Sequence, residues 1–456
     1  MSQHPEKSQE WGKTAGEPPW PSPVYAWFVV FVLTVAYTIS FIDRQIIALL
    51  AGPIQQDLGV GDTAMGLLGG FAFALFYTFL GIPIGRLADH RSRRGIIAVG
   101  LFFWSLMTMV CGLAKNFWHL FFARVGVGIG EATLSPAAYS MIADYFPKEQ
   151  LGRALSVFFI GVYAGTGLAF LAGGAVIAIV GGMESLTVPV LGDLRPWQAA
   201  FMIVGAPGIL YVLVFLAVKE PARRGLINSE HGDQEVPLGE VLRFIWERRA
   251  TYVPHFLGYG CLSLIGYAST FWIVEFYVRT YGTARAEASY IYGMLLLGFA
   301  IGGVVFSGWL SDKLEARGMG DAKIRMGMLS ALGQLPAGAL FPLMPDQTSA
   351  TIVLAIAVTF AAFPFGTAAA SLQAITPNQM RGLVSAVYLF VINIIGLGLG
   401  PPFVGFLTDF VFADPADLRY SLSAKALIMA PLALLLLWLC LPGFRRAREE
   451  ALLWGR

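Results

Sequence analysis

The sequence predicts an all-α membrane protein in which twelve transmembrane helices form two pseudo-symmetric six-helix bundles. Of its 456 residues, 56% are hydrophobic and only 13% are charged. A soluble globular domain has about 25% charged residues, so this composition excludes that class. Two further observations predict the fold: long apolar stretches recur along the chain, and two loops half a chain apart share one pattern.

Each predicted span has enough apolar residues to cross about 30 Å of hydrocarbon. The spans lie near residues 24–50, 64–87, 94–114, 117–145, 151–180 and 198–218, and then 252–281, 286–311, 323–342, 349–375, 380–410 and 421–441. The predicted parts are therefore an N-terminal tail (1–23), a first bundle (24–218), a linker (219–251), a second bundle (252–442) and a C-terminal tail (443–456). The end of the linker, VPLGEVLRFIWERR, has helical apolar spacing, which predicts an amphipathic surface helix.

The distribution of Lys and Arg predicts the orientation, because cytoplasmic loops carry an excess of both. Of the 31 such residues, 23 lie in segments on one side, which we expect to be cytoplasmic together with both termini. The opposite loops have only six, which are Lys115, Arg195, Arg279, Arg285, Arg419 and Lys425. We expect a multi-pass protein of the inner cell membrane with no cleaved signal peptide.

Charge and cysteine content limit the partners. The net charge of +2 gives no indication of nucleic-acid binding. The three cysteines lie in separate apolar segments without a CxxC pattern, so neither a disulfide framework nor a zinc site is predicted. We expect no cofactor and no metal, and a monomer whose partners are the bilayer, protons and a small substrate.

Two internal similarities relate the halves of the chain. GRLADHRSRRG begins at Gly85 and GWLSDKLEARG at Gly308, so that Asp89 and Asp312 are 223 residues apart. The segments AAYSMIADYFPKEQLGRALS and AAASLQAITPNQMRGLVS end the fourth and tenth spans in nearly the same register. Such repeats predict two parallel bundles with a binding site between them near the middle of the membrane.

Four ionisable residues interrupt apolar spans. Arg124 and Glu131 lie in FFARVGVGIGEATLSP, and Asp43 and Arg44 lie in VAYTISFIDRQIIALL. Charges at bilayer depth cost about 2.5 to 3.5 kcal/mol each, so they usually face inward and serve proton or substrate pathways. The alternative is that they only hold helices together. We expect Asp43 to pair with Arg124, because adjacent Asp43 and Arg44 point about 100° apart around their helix.

The loop after the second span resembles the G-x-x-x-D-R-x-G-R-R signature of the major facilitator superfamily. The matching residues are Gly85, Asp89, Arg93 and Arg94. His90 and Ser92 depart from the signature. The resemblance implies a conformational latch in which Asp89 meets the N-terminus of the eleventh helix. The other latch residues that it implies are Gly85, Arg93, Asp144 and Arg153.

The fourth span, RVGVGIGEA from Arg124, resembles a superfamily motif associated with proton coupling. SFIDRQIIALLAGPIQQDLGVGDTAMGLLGGFAFALFYTFLGIPIGRLADH and ARVGVGIGEATLSPAAYSMIADYFP together resemble the Spinster family over nearly the whole chain. This implies a transporter of lysolipids or sphingosine phosphate-like amphiphiles, with Asp43 and Glu131 as proton carriers and Arg44 and Arg124 as the substrate or charge network. Further cavity candidates are Tyr163, Glu275 and Asn393, of which Glu275 fits an interfacial position or a gate equally well.

Competing functions remain open. A proton-linked multidrug or organic-anion transporter would have the same fold, and a non-transporting membrane receptor is a different class. An enzyme is not predicted, because the sequence has no H-E-x-x-H or G-x-S-x-G motif and no phosphate-binding loop.

Overall fold

The computed structural model describes residues 19–182, 185–188, 192–223 and 236–451. In the first half its helices are Pro23–Leu49, Ala51–Leu58, Asp62–Gly66, Leu67–Phe71 (a π-helix), Ala72–His90, Arg93–Cys111, Phe117–Glu131, Leu134–Tyr145, Lys148–Val180 and Pro196–Leu216. Two short strands, Leu186–Val188 and Gly192–Leu194, pair antiparallel between the last two of these helices.

The regular structure among the described residues of the second half is all helical. Its α-helices are Leu238–Glu247, Arg249–Tyr281, Arg285–Leu295, Ile301–Ala316, Ala322–Leu340, Gln347–Ala361, Pro364–Ala374, Arg381–Ile392, Gly400–Phe406 and Leu418–Ala451. Leu296–Ala300, Asn393–Gly398 and Leu407–Phe412 are π-helical, and Phe341–Leu343, Asn378–Met380 and Pro415–Asp417 are short 3₁₀ helices.

All twelve predicted spans are helical. Ten continuous helical segments of the described residues are long and apolar enough to cross a membrane. The other two are the fourth span, which consists of Phe117–Glu131 and Leu134–Tyr145, and the fifth span, Lys148–Val180. The predicted fold class is confirmed.

The fourth and tenth spans break at matching places. The fourth resumes at Leu134 with Pro136 in its first turn, where a missing N–H removes no helical hydrogen bond. The tenth resumes at Pro364, and Gly366 has a φ of 84°, which glycine adopts without steric cost. The shared break agrees with the sequence similarity of these two segments.

The fourth span packs closely against its neighbours, as its glycines predict. A Cβ atom on Gly128 would lie 2.5 Å from the carbonyl oxygen of Phe73 in the second span. A Cβ atom on Gly130 would lie 2.7 Å from the backbone nitrogen of Trp104 in the third span. Larger residues would separate these helices and the charged residues that they carry.

Lys425 differs from its predicted position. It is counted with the loop residues in the predicted topology, although the predicted span 421–441 includes it; it lies in Leu418–Ala451 and is 0% exposed. Its Nζ donates to the carbonyl of Ile265 at 3.3 Å and to the hydroxyl of Ser269, both in the seventh span. A charged residue near a span end is counted with the loop, whereas here the neighbouring helix provides polar partners inside the bundle.

The two halves meet mainly at one end of the bundle. We call it the Glu275 end and the opposite one the Arg93 end. One hydrophobic core contains residues of both halves, among them Leu49, Leu68, Phe271, Trp272 and Val404. A second core, which includes Tyr252, Phe256 and Leu437, belongs to the second half and the linker helix Leu238–Glu247. The second half is therefore packed on the first half only over part of its length.

Candidate functional site

Glu131 and Arg44 form a buried ion pair between the fourth and first spans. Arg44 donates to Glu131 Oε2 from Nη2 at 2.6 Å and from Nε at 3.2 Å. Ser40, one helical turn before Arg44, donates its hydroxyl to the same oxygen at 2.6 Å. Arg44 is 8% exposed and Glu131 is 1% exposed, so these bonds are what offset the removal of both charges from water.

Three aromatic rings surround the Arg44 guanidinium. Its Cζ lies 5.0 Å from the ring centroid of Phe41, 4.6 Å from that of Phe73 and 5.0 Å from that of Tyr77. The negative faces of aromatic rings attract a cation at these distances, more strongly when water is excluded. The rings thus hold the guanidinium in place without neutralising it.

Asp43 points to a different neighbour. Its Oδ2 accepts a hydrogen bond of 3.4 Å from Ser105 of the third span. Its Oδ1 has no hydrogen-bond partner among the described residues, although the side chain is 0% exposed. A buried carboxyl group with one weak bond is costly to keep ionised.

The ion pair expected between Asp43 and Arg124 is not formed. Arg124 donates instead to the backbone carbonyls of Asp43, at 3.3 Å, and Arg44, at 3.4 Å. Its Nε has no partner within the described part of the chain. The expectation was wrong because Arg124 meets the backbone of the first span, while Glu131, two turns later on the same helix, takes the side chain of Arg44.

The four charged residues therefore lie together but are unequally paired. One carboxylate and one guanidinium bind each other. Arg124 donates to two backbone carbonyls and lies 5.5 Å from the Phe73 ring centroid, and Asp43 accepts from Ser105; neither forms an ion pair with another described residue. Since an unpaired buried charge is costly, adding or removing one proton changes which pairing is most favourable. Such a cluster can couple protonation to a change of partners.

Glu275 joins the two halves at the Glu275 end. This residue is 2% exposed and accepts the backbone N–H of Gly52, in the first half, at 2.6 Å. It also pairs with Arg285, which donates to the carbonyl of Leu49 at 3.1 Å. Glu275 thus lies where the two halves meet, and its role as a membrane-interface residue or as a gate stays a prediction.

Two more groups strengthen this contact. Arg279 donates to both oxygens of Asp62 at 2.8 Å and to Gln55 Oε1 at 2.7 Å. Asp409 accepts the backbone N–H groups of Asp62 at 3.0 Å and Thr63 at 2.7 Å. The hydrogen bonds and ion pairs that join described residues of the two halves all lie at this end. The halves are closed on each other at the Glu275 end.

Arg93 organises the opposite end of the first half. It pairs with Asp144, and its Nε donates to Glu220 Oε1 at 2.9 Å. Gly85 and Arg153 lie in the neighbouring helices, where Arg153 is exposed. The side chain of Asp89 lies outside the described part, as does that of Tyr163. Asn393 is the first residue of the π-helical segment Asn393–Gly398 and is half-buried.

Glu220 is a ligand of Arg93 that the sequence analysis missed. It caps the third span, because its carboxylate accepts the backbone N–H groups of Arg93 at 3.1 Å and Arg94 at 2.8 Å. Burial by itself raises its pKa, but these hydrogen bonds and that of the Arg93 side chain hold the pKa below the ordinary 4.5. The carboxylate is thus ionised at neutral pH and fixes the linker to the first half.

The second half has an equivalent contact with the charges reversed. Asp321, just before the ninth span, accepts from Arg325 Nε at 2.8 Å and from Arg445 Nη2 at 2.6 Å. In each half, therefore, the start of the third or ninth span is bound to the segment at the end of the sixth or twelfth. Each half is thus internally fastened at the Arg93 end, where the described residues show no hydrogen bond or ion pair between the halves.

Most residues that sequence reasoning missed lie at or near the ends of predicted spans. Asp62, Arg279, Arg285 and Asp409 belong to this group, and Arg279 and Arg285 enter the sequence analysis only as topology signals. Their pairing depends on how segments far apart in the chain meet, for which the sequence has no local pattern. In the described residues, no group of three or more His, Cys, Asp or Glu side chains could hold a metal ion.

The comparisons with known proteins define the class. The family model of the Major Facilitator Superfamily matches residues 33–401. The chain belongs to the major facilitator superfamily of membrane transporters, and its relatives and fold are those of transporters rather than enzymes.

Within this superfamily the chain is similar to Spinster proteins, as its motifs indicate. Protein spinster homolog 1 from Homo sapiens is 29% identical over 57% of this chain and 47% of its own length. The chain thus matches about half the length of that relative. A crystal structure of a bacterial homologue of the human lysosomal transporter Spinster, inward-facing and unoccupied, has 28% identity and a TM-score of 0.77. The structural alignment covers 95% of this chain and 98% of the homologue's chain.

A relative that is described as an efflux pump, not as a Spinster protein, matches almost the whole chain. An MFS-type efflux pump from Mycolicibacterium smegmatis is 28% identical over 93% of this chain and 94% of its own length. The comparisons thus include both Spinster proteins and an efflux pump.

Proposed function

We propose that the chain is a proton-coupled secondary transporter of single-chain amphiphiles, such as lysolipids or sphingosine phosphate-like lipids, that works by alternating access. The observation that carries the proposal is the buried cluster of Asp43, Arg44, Arg124 and Glu131 in a Spinster-like chain. A charged headgroup needs a basic partner at bilayer depth, and a proton-coupled carrier needs carboxyl groups that change state there.

The Arg44–Glu131 pair suggests how the two events are linked. Protonation of Glu131 removes the negative charge that binds Arg44, and a phosphate headgroup is then the best remaining partner of the guanidinium. Conversely, a headgroup bound to Arg44 displaces Glu131 and favours its protonation. Proton and headgroup binding therefore assist each other, as reciprocal coupling requires. Asp43 provides a second carboxyl group beside Arg124 that can pair with it when ionised.

By the positive-inside rule, we assign the Arg93 end to the cytoplasm and the Glu275 end to the outside. The halves are closed at the Glu275 end, so this conformation is inward-facing under that orientation. Similarity to the inward-facing Spinster homologue supports the assignment. The contacts of Glu275, Arg279, Arg285 and Asp409 form the external gate, which must open during each transport cycle.

Arg285→Gln is expected to favour the conformation in which the Glu275 end is open. It removes the ion pair with Glu275 and the bond to the Leu49 carbonyl. A hydrogen bond to a charged group is worth about 1.5 to 3 kcal/mol, so the open-to-closed ratio should rise about tenfold or more. The measurement is the distance distribution between spin labels at Gln56 and Ala284, one in each half.

Glu287→Gln is the matched control, because this exposed residue of the same helix accepts only from Gln347 of its own half. It should leave the distances unchanged. Equal distributions for Arg285→Gln and the wild type, with both proteins folded, would contradict the gate assignment.

The proposed function is tested in proteoliposomes that contain the purified full-length protein. An imposed pH gradient should drive the movement of a lysophospholipid or sphingosine phosphate, and lipid addition should produce a proton flux. Movement of amphiphilic drugs or organic anions but of no lipid in the panel would reject the lipid assignment and support the alternative, a proton-linked multidrug or organic-anion transporter. The similarity to an efflux pump over most of the chain is what favours that alternative.

A further inference from the structure

The linker helix Leu238–Glu247 has more apolar surface than the protein covers. Val241, Phe244 and Ile245 are buried against the second core. Leu238, Leu242 and Trp246 are 45%, 47% and 67% exposed. These three residues are spaced by four, so they form one continuous stripe along the helix.

The stripe adjoins the buried face. At about 100° per residue, the apolar sector extends from the buried residues to Trp246 and is followed by a polar sector with Glu240, Arg243 and Glu247. A helix that packed only on the protein would need a polar residue where Leu242 and Trp246 lie. A wide apolar sector beside a charged one is typical of helices that lie in the membrane interface.

The stripe lies next to the start of a transmembrane span. The seventh span, Arg249–Tyr281, begins two residues after the linker helix ends. Its residues Val253 (37%) and Leu257 (38%) are exposed and are themselves four apart. The stripe therefore lies beside the end of a transmembrane span, where the chain enters the membrane.

Arginines border the exposed stripe. Arg249 Cζ lies 5.4 Å from the ring centroid of Trp246, and its Nη1 donates to the carbonyl of the same residue at 3.2 Å. Arg243 is exposed on the polar side of the stripe. Arg248 differs, because it lies over the Phe244 ring and pairs with Glu450 at 3.7 Å. Two guanidinium groups thus remain beside Trp246 at the expected depth of phosphate groups.

We infer that the linker helix is an interfacial anchor that binds anionic phospholipid headgroups at the Arg93 end. Leu238, Leu242 and Trp246 insert among the upper acyl chain segments, and Arg243 and Arg249 bind the phosphates above them. Arginine suits this position because its planar fork donates two hydrogen bonds to one phosphate. An anionic lipid also has a net negative charge, which a zwitterionic lipid lacks, and this charge adds to the attraction.

This inference concerns a lipid of the surrounding membrane and does not depend on what is transported. The anchor lies between the two halves in the chain but packs on the second half. Anionic lipid would therefore hold this end of the second half at the membrane surface during the movement of the halves.

The test uses the full-length protein in nanodiscs of phosphatidylcholine with a minority of phosphatidylglycerol. Two preparations are compared: in one the phosphatidylcholine and in the other the phosphatidylglycerol carries bromine atoms on its acyl chains. Bromine quenches the fluorescence of nearby tryptophan side chains. The difference between the wild type and Trp246→Phe isolates the emission of Trp246. We expect both brominated lipids to quench this emission. Quenching by brominated phosphatidylglycerol should exceed the value expected from its fraction of the total lipid. Local enrichment of about fivefold per arginine is the expected scale.

Arg243→Gln with Arg249→Gln should remove the preference for phosphatidylglycerol and retain the quenching. The control Arg317→Gln with Arg446→Gln, which alters two exposed arginines of the same half outside the linker helix, should keep the preference. Trp246 emission that neither lipid quenches would overturn the anchor. Quenching in proportion to lipid content in the wild type would overturn the recognition of anionic headgroups. Monodisperse chromatography of each variant confirms folding.

Discussion

Asp43→Asn is expected to abolish transport driven by a pH gradient and to leave the protein folded. The Asp43 carboxyl group is buried, accepts one long hydrogen bond from Ser105 and forms no ion pair with another described residue. An amide of the same shape imitates its protonated form permanently. Because no charged partner is left behind, the loss of stability should be below about 1 kcal/mol. Transport should fall to that of empty liposomes, measured beside the melting temperature.

The matched control is Asp193→Asn, which alters an exposed carboxylate in the short hairpin. It should retain both transport and stability. Normal gradient-driven transport by Asp43→Asn would remove this residue from the coupling mechanism. A large fall in melting temperature would instead assign it to holding the helices together.

The fold could be predicted because the bilayer restricts the possible structures. Backbone groups in hydrocarbon must be hydrogen-bonded within the segment, so a long apolar stretch is a helix. The segments around Arg124 and Glu131 could also be assigned to an interior helix, because their glycines and charges do not suit a lipid-facing surface. Lys425 shows where this reasoning fails, because its partners Ile265 and Ser269 lie 160 and 156 residues away in the chain.

Side-chain pairing could not be predicted at the same level. The spacing of Arg124 and Glu131 places both on one helix face, but it does not decide which of them meets Arg44. That depends on the depth and rotation at which the fourth span packs on the first, and these follow from contacts such as Gly128 against Phe73. Similarly, Glu275 meets Gly52 only because two helices of different halves, Arg249–Tyr281 and Ala51–Leu58, lie together.

Glu131→Gln is expected to lose transport and, unlike Asp43→Asn, to destabilise the protein. Glu131 is the carboxylate partner of Arg44, which is 8% exposed and otherwise surrounded by rings. Removal of one member of a buried ion pair costs about 3 to 5 kcal/mol, because the other charge remains without a partner. The melting temperature should therefore fall clearly below that of Asp43→Asn, with both variants measured in the same detergent.

The double variant Arg44→Gln with Glu131→Gln separates pairing from transport. It removes both charges. Burying two neutral side chains costs less free energy than burying one unpaired guanidinium, so most of the stability lost in Glu131→Gln should return. Transport should stay absent, because neither the proton site nor the headgroup partner remains. Recovery of transport together with stability would mean that the pair only braces the first and fourth spans. Equal melting temperatures of Glu131→Gln and Asp43→Asn would contradict the pairing itself.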